Sequence, residues 1–289
     1  MDKAIEHNEQ ALQAEAARMQ AEGATAYADA ARASDAVGFE REDAERTLSL
    51  TVSYNGGPFC GFARQPGRLT VQGELEQALS LVMRRPVEVV CSGRTDAGVH
   101  AAAQTASFKL DTARTPGEIR AYLNRYLPQD IGVLACETVP ERFHARLNAK
   151  SKHYTYRLWC SDIPNVFERR YLTVWERPLE VSRMRHAAAL LTGTHDFRAF
   201  SSVGKRFKKS TVRTLEHIRI TETGGETRLD FFGDGFLYHM VRILTGTLVE
   251  IGAGDREAES ILRAFKTLDR QDAGVTMPPQ GLILTKITY

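Results

Sequence analysis

A loop of small residues around Asp96 is the segment of the sequence best suited to chemistry. The run Val87-Glu88-Val89-Val90-Cys91 predicts a strand that leads into residues 92–100, where Gly93 and Gly98 flank a single carboxylate. Small residues let a flat ligand approach the backbone closely, and a carboxylate can act as a nucleophile. On residue type alone, a turn aspartate that bonds neighbouring amides is the commoner use of such a position.

Two other chemistries are disfavoured by spacing. The glycines of the loop are placed as in a phosphate-binding loop, but Val99 and His100 stand where Lys and Ser or Thr would have to reach phosphates and a metal ion. Candidate metal ligands occur only in pairs, His195 with Asp196 and Asp230 with Asp234. A protein metal site needs a third or fourth ligand, so we expect no metal.

The octapeptide Gly93-Arg94-Thr95-Asp96-Ala97-Gly98-Val99-His100 resembles the signature of the tRNA pseudouridine synthase A family. The resemblance extends from about Leu48 to Tyr289 through the segments Tyr54-Asn55-Gly56-Gly57, Gly61-Phe62-Ala63-Arg64-Gln65, Phe143-His144-Ala145-Arg146, Phe236-Leu237-Tyr238-His239-Met240-Val241-Arg242 and Pro278-Pro279-Gln280-Gly281-Leu282. This chain departs from the family at Asn55, where Asp is more usual, and at Phe62, where Trp is more usual.

The resemblance implies roles for individual residues. Asp96 matches the catalytic aspartate, Arg242 the arginine that forms an ion pair with it, and Tyr154 the tyrosine that stacks on the target base. Leu282 matches the residue that walls the base pocket, and we expect Arg94 to hold the backbone beside the extruded nucleotide. The reaction has no redox change, so no cofactor is expected. Whether Asp96 adds to the ring at C6 or acts at C1′ through an elimination route remains open.

The residues themselves leave two of these roles undecided. Arg242 lies beside an apolar helical stripe, and an inward arginine there would need a partner, whereas an outward one would be an ordinary surface residue. Tyr154 and Tyr156 share one side of a strand, because alternate strand residues point the same way. Periodicity does not choose between the two tyrosines.

Charge is distributed unevenly along the chain. Residues 1–46 hold 11 acidic and 5 basic side chains, a net of −6, whereas residues 47–289 have a net of +8. The basic residues include two runs: Lys205, Arg206, Lys208, Lys209 and Arg213, and Arg142, Arg146, Lys150, Lys152 and Arg157. A charge run is commonly a solvated face, but with an RNA substrate both runs become candidate phosphate contacts. The family resemblance implies tRNA, through its anticodon stem-loop, as the partner.

The elements that must position these residues indicate an α+β protein with antiparallel or mixed sheets. Residues 1–46 form an acidic, alanine-rich extension, helical or disordered. Alternation from Thr47 predicts the first strand. Helical spacing after Thr70, a candidate N-cap, predicts a helix that ends near Pro86, and further helices are predicted at 116–127, 239–251 and 256–268. Residues 47–150 are expected to form an N-terminal lobe with the Asp96 loop, and residues 151–289 a C-terminal lobe. The resemblance implies the pseudouridine synthase fold, two lobes with helix-flanked sheets around a basic cleft, and a homodimer.

Composition excludes several classes of protein. No run approaches the ~18 apolar residues of a membrane span, so we expect no membrane association. The N-terminus lacks the pattern of a secretory or organellar leader, which favours the cytoplasm. The four cysteines, with no C-x-x-C pair, are interpreted as reduced thiols.

The sequence therefore predicts a tRNA pseudouridine synthase that isomerises uridines 38, 39 and 40 with Asp96 as nucleophile. Three alternatives stay open. One is a noncatalytic tRNA-binding or tRNA-folding module of the same fold, and another is a synthase with a shifted target position. The third is a glycosidase with an aspartate nucleophile acting on free nucleosides, which would not need the basic runs.

Overall fold

The computed structural model describes Phe39, residues 41–204 and residues 206–289. The chain divides between Asn148 and Ala149 into two compact units. The predicted extension, up to residue 38, and the candidate Lys205 lie outside the described residues.

The first unit is built on strands that are rich in alternating apolar residues. Its elements are β1 (Arg41–Tyr54), α1 (Val71–Met83), β2 (Val90–Cys91), β3 (His100–Thr112), α2 (Pro116–Tyr126) and β4 (Ile131–Thr138). The strands pair antiparallel in the order β4-β1-β3, with β2 on β3. The predicted strand face of β1 is confirmed, because Leu48, Leu50 and Val52 are fully buried.

The ends of these elements follow from local chemistry. The Thr70 hydroxyl accepts the Gly73 N–H and caps α1, as predicted. A reciprocal pair of hydrogen bonds between Thr115 and Glu118 starts α2. Strand β1 starts at Arg41, ahead of the predicted Thr47, because β3 extends far enough to pair with it across a break in register.

The predicted strand at 87–91 is largely wrong. Only Val90–Cys91 pairs with β3. Val87 and Val89 are buried as the alternation predicts, but their N–H groups donate to the side chains of Ser80 and Glu76 on α1. These backbone N–H groups are therefore satisfied by side-chain oxygens of the helix and not by the carbonyl groups of a neighbouring strand.

The second unit is also built on an antiparallel sheet, which has more strands than that of the first. Its elements are β5 (Ser151–Trp159), β6 (Thr173–Val174), α3 (Val181–Leu191), β7 (Gly193–Asp196), β8 (Val212–Thr223), β9 (Glu226–Gly233), α4 (Met240–Gly252), α5 (Ser260–Thr267), short 3-10 turns at Arg270–Asp272 and Pro279–Gly281, and β10 (Leu282–Thr288). The strand order is β10-β5-β9-β8-β7. All of these pairs are antiparallel, and only β6 runs parallel to β5.

Helix α4 forms part of the core of the second unit. Its predicted apolar stripe is confirmed, since Leu244 and Leu248 are fully buried. A Cβ on Gly246 would come within 2.0 Å of the Val275 carbonyl oxygen, so residues 273–277 pass directly against the helix. None of the helices in the described part of the chain has the length and apolar character that crossing a bilayer requires.

Candidate active site

Asp96 lies at the tip of the loop between β2 and β3 and is half-buried. Its carbonyl oxygen accepts the Val99 N–H at 3.1 Å. Gly98, the third residue of this turn, has a φ of +76°, which a glycine adopts without strain. The loop therefore presents the carboxylate on a tight turn with access to solvent.

A buried polar network supports this loop from below. The Tyr54 and Thr95 hydroxyls are hydrogen-bonded at 2.7 Å. Gln104, fully buried in β3, accepts the Ser92 hydroxyl at 2.7 Å and donates to the Gly93 carbonyl at 2.8 Å. Such satisfied buried networks hold their members in one arrangement, so the residues that precede Asp96 in the loop are fixed by β1 and β3.

The segment that follows β1 packs against the other end of the loop. The Gly56 N–H donates to His100 Nδ1 at 2.9 Å, which places the proton of a neutral imidazole on Nε2. A Cβ on Gly56 would come within 2.0 Å of the Val99 carbonyl oxygen. Phe62 N–H donates to the Thr95 carbonyl at 3.1 Å. The glycines of residues 54–62 thus allow two backbones to touch.

Electrostatics separate the support of the loop from its surface. Burial raises the pKa of Tyr54 well above its ordinary value, and its hydrogen bonds to Thr95 and Gln104 offset this only in part. Tyr54 stays a neutral phenol at every physiological pH. Arg94, two residues before Asp96, is exposed, so its guanidinium can meet a ligand at the surface.

Arg242 is half-buried in the first turn of α4 in the second unit. Its Nε donates to the Met277 carbonyl oxygen at 2.6 Å, and the Met277 N–H donates back to the Arg242 carbonyl at 3.2 Å. The guanidinium is therefore oriented by the segment that precedes β10.

Tyr154 and Tyr156 share one side of β5, as predicted, but their surroundings differ. Tyr156 is fully buried, and its hydroxyl bonds to Thr173 and to the Pro278 carbonyl, each at 2.7 Å. Burial raises its pKa, which Thr173 and the charge of Arg242 offset in part. Tyr154 is 7% exposed and meets Phe236 edge-to-face at 5.1 Å.

Leu282 is buried at the start of β10, opposite Tyr156. The structure thus brings the candidates together in two groups. Asp96 and Arg94 lie on one loop of the first unit, whereas Tyr154, Arg242 and Leu282 lie in the second, where Tyr156 borders both Arg242 and Leu282.

The predicted basic runs have different surroundings. Arg206, Lys208 and Lys209 are exposed. Arg157 is instead taken up by Glu226, with Nε and a terminal nitrogen at 2.8 and 2.7 Å from its carboxylate oxygens. This ion pair is only 11% and 15% exposed, so Arg157 is a structural cation of the sheet and not a solvated member of its run.

The acidic and histidine pairs have structural partners. His195 stacks on Phe265 at 4.3 Å, Asp196 accepts the Arg198 N–H, Asp230 accepts from Thr155, and Asp234 accepts the Thr214 N–H. Among the residues that the structure describes, no group of three or more His, Cys, Asp or Glu side chains could hold a metal ion.

A family model described as tRNA pseudouridine synthase matches residues 50–148 and 187–289. The chain belongs to the tRNA pseudouridine synthase family. The match includes the Asp96 loop, α4 and β10, and membership identifies the chain as a pseudouridine synthase, which is an isomerase. The α+β prediction and the predicted family are confirmed.

Curated relatives of this synthase match nearly their whole length. The tRNA pseudouridine synthase A of Bacillus sp. (strain KSM-64) is 43% identical over 83% of this chain and 98% of its own. That of Geobacillus sp. (strain WCH70) is 42% identical over 84% and 98%, and that of Citrifermentans bemidjiense 42% over 84% and 98%.

Sequence reasoning missed the residues that support the loop of the synthase. Gln104 carries one signal in the sequence, since it is a polar amide among the small and apolar residues of β3. Tyr54 looked like an ordinary strand residue. Their role depends on pairing between β1 and β3, where Val52 lies opposite Gln104, and this pairing is not local in sequence.

Proposed function

We propose that this synthase isomerises uridine to pseudouridine at positions 38, 39 and 40 in the anticodon stem-loop of tRNA, with Asp96 as the nucleophile. The observation that carries the proposal is the Asp96 loop. It combines the family's octapeptide with a half-buried carboxylate on a turn whose flanking residues are fixed by hydrogen bonds. Fixed geometry of this kind lowers the entropic cost of the reaction.

The reaction is an intramolecular exchange of bonds. The N1–C1′ bond breaks, the uracil turns, the C5–C1′ bond forms, and the proton from C5 is replaced by one on N1, so atoms and electrons balance without a co-reactant. The Asp96 carboxylate either adds to C6 of the base and leaves again at the end, or acts at C1′ of the sugar through an elimination route. Both routes need the carboxylate to be ionised at the start.

We assign the other candidates to the same reaction. Arg242 supplies the positive charge that favours the ionised aspartate; its half-buried position and its orientation by Met277 support this role. Tyr154 offers its ring to the extruded uracil, and Leu282 forms an apolar wall. Tyr156 is a positioning residue, because its hydroxyl is occupied by Thr173 and Pro278.

Binding of the RNA requires compensation for base extrusion, which costs a few kcal/mol. We propose that exposed Arg94 contacts the backbone beside the extruded nucleotide, where a planar guanidinium can grip a phosphate with two hydrogen bonds. Arg206, Lys208 and Lys209 hold phosphates farther away. We further propose that the protein acts in the cytoplasm and, as the family resemblance implies, forms a homodimer. Light scattering of the purified protein would test the dimer.

The experiment that tests the function uses unmodified tRNA transcripts. Wild-type protein and Asp96→Asn are each incubated with them, and pseudouridine is mapped by position. We expect product at positions 38 to 40 with wild type only, and equal tRNA affinity for both proteins. Product confined to other positions would refute the assigned target, and product formed by Asp96→Asn would refute the assigned nucleophile.

The same experiment separates the alternative functions. Tight tRNA binding without any product from wild type would favour the noncatalytic module. Turnover of free uridine that is insensitive to salt would favour the glycosidase, because phosphate contacts make RNA binding depend steeply on salt.

A further inference from the structure

Tyr238 is an exposed aromatic residue in the segment that leads into α4. Its side chain is 55% exposed, although it lies between buried Leu237 and the first residue of α4, buried Met240. The Tyr238 ring stacks on the ring of His239, with centroids 3.7 Å apart and planes 29° apart. The surface therefore carries a double aromatic layer four residues before Arg242.

The position of this stack is fixed by its neighbours. His239 has a φ of +62°, which costs a non-glycine residue about 1 kcal/mol or more. His239 Nδ1 is hydrogen-bonded to the Ser202 hydroxyl at 3.0 Å. The Ser202 N–H donates to the Tyr238 carbonyl at 3.0 Å. Ser202 thus holds both the His239 ring and the backbone of Tyr238.

The exposed basic loop is tied to the same segment at both of its ends. It leaves from Ser202, which bonds to Tyr238 and His239. It returns at Thr214, whose N–H donates to the Asp234 carboxylate at 3.0 Å and whose carbonyl accepts the Asp234 N–H at 3.1 Å. Both ends of the loop that carries Arg206, Lys208 and Lys209 are thus bonded to the segment that carries the aromatic stack.

The loop and the stack together have the composition of a site for single-stranded nucleic acid. Residues 203–213 contain no Asp or Glu, and Arg206, Lys208 and Lys209 are exposed. Stacking of a base on an aromatic ring contributes ~1–3 kcal/mol whatever the base, because every base has a π face. Cations beside the stack would hold the phosphates of the same strand.

We propose that the Tyr238–His239 stack binds one unpaired base of the anticodon loop, other than the uridine that reacts, while Arg206, Lys208 and Lys209 hold the neighbouring phosphates. The inference rests on the proposed function, since it takes tRNA as substrate. It adds a second base contact, outside the pocket of Tyr154 and Leu282, that selects for an unpaired loop beside the target.

The test uses synthetic anticodon stem-loops that carry the fluorescent base 2-aminopurine at one loop position at a time. Wild type should quench the fluorescence at one position. Tyr238→Ala should abolish that quenching and weaken binding about 10-fold, whereas Tyr238→Phe, which keeps the ring, should retain both. Phe167→Ala, at a residue 93% exposed on another loop, is the matched control and should behave as wild type.

Salt dependence separates stacking from charge. The double variant Lys208→Ala with Lys209→Ala should reduce the slope of log affinity against log salt by about 1–2. Tyr238→Ala should leave the slope unchanged, because a base stacked on a ring releases no counterion. A Tyr238→Ala slope that falls like that of the lysine variant would refute stacking.

Each outcome has one meaning. If Tyr238→Ala folds, as judged by circular dichroism and melting, yet binds and quenches like wild type, the inference is wrong. The same holds if Tyr238→Phe behaves like Tyr238→Ala, because the hydroxyl would then carry the contact. Both results leave the proposed function standing, whereas wild-type protein that forms no pseudouridine would overturn the proposed function itself.

Discussion

The Asp96 loop of the first unit and the basic loop of the second are held in opposite ways. Every part of the Asp96 loop rests on buried groups, including Gln104, Tyr54 and the backbone at Gly56. The basic loop is fixed at its ends, at Ser202 and Thr214, while Arg206, Lys208 and Lys209 are exposed. On the proposed function, this difference means that the chemistry needs one exact geometry, whereas recognition of an RNA backbone needs charge near the right place.

The strongest test of this comparison adds one carbon atom against the Asp96 loop, at Gly56, and one within the basic loop, at Gly204. In Gly56→Ala the new Cβ would meet the Val99 carbonyl oxygen at 2.0 Å, so the Asp96 loop must shift. We expect a loss of about 3 kcal/mol in stability and of about 100-fold in kcat, since a displacement of ~1 Å can have that effect. Urea unfolding and single-turnover kinetics measure both.

Gly204→Ala is the matched control for that substitution. A Cβ on Gly204, at the start of the basic loop, meets nothing within 4 Å, and its backbone is not left-handed. We expect wild-type stability and turnover. A Gly204→Ala variant as defective as Gly56→Ala would erase the distinction between the two loops.

A second prediction separates the paired cation Arg157 from the exposed cations of the same unit. Its hydrogen bonds hold the pKa of Glu226 below the ordinary value of 4.5. Arg157→Gln should lower the free energy of unfolding by about 2 kcal/mol at pH 7 without changing the salt dependence of tRNA binding. Arg206→Gln should reduce the salt dependence of tRNA binding and leave the free energy of unfolding unchanged.

The pH dependence of this effect has a defined sign. A carboxylate whose pKa is lowered by folding contributes its full stability above its unfolded pKa and loses it as the pH falls through the folded pKa. The difference between wild type and Arg157→Gln should therefore shrink below about pH 4.5. Urea midpoints at pH 7 and pH 3.5 test this, and an equal difference at both would contradict the assigned ion pair.

The smallest expected effect concerns the Tyr54 hydroxyl. Tyr54→Phe removes the 2.7 Å hydrogen bond to Thr95 and leaves a buried hydroxyl poorly satisfied, at a cost of about 1–2 kcal/mol. We expect kcat to fall by about 10-fold and KM to stay unchanged, because the loop is loosened and no RNA contact is lost. A change confined to KM would place Tyr54 in binding and not in support.

The sequence allowed local features to be predicted well. Helices α2 and α4 were predicted to within one residue and α1, with its Thr70 cap, to within about three, because their apolar spacing and capping residues are local. Strand β4 was missed because it is an edge strand. Only Ile131 and Val133 of its eight residues are buried, and two buried positions are too few to make an alternating pattern visible. Helix α5 begins at Ser260, four residues later than predicted. Arg256, at the predicted start, donates instead to the Glu250 carboxylate.

The candidate site was predictable only where residues adjacent in sequence carry it. The octapeptide around Asp96 is one such stretch. The support by Gln104 and the contrast between Tyr154 and Tyr156 depend on strand pairing and on the Pro278 turn. Neither follows from spacing within one element.

The anchoring of the basic loop at Ser202 and Thr214 has a consequence for how this enzyme can change. Substitutions at residues 206–210, which lie in no strand or helix, need not disturb the strands or the helix of Arg242, because Ser202 and Thr214 hold the ends of the loop to one short segment. On the proposed function, evolution, or a designer who exchanges these residues for those of another synthase, can therefore retune the choice of tRNA and leave the isomerisation chemistry intact.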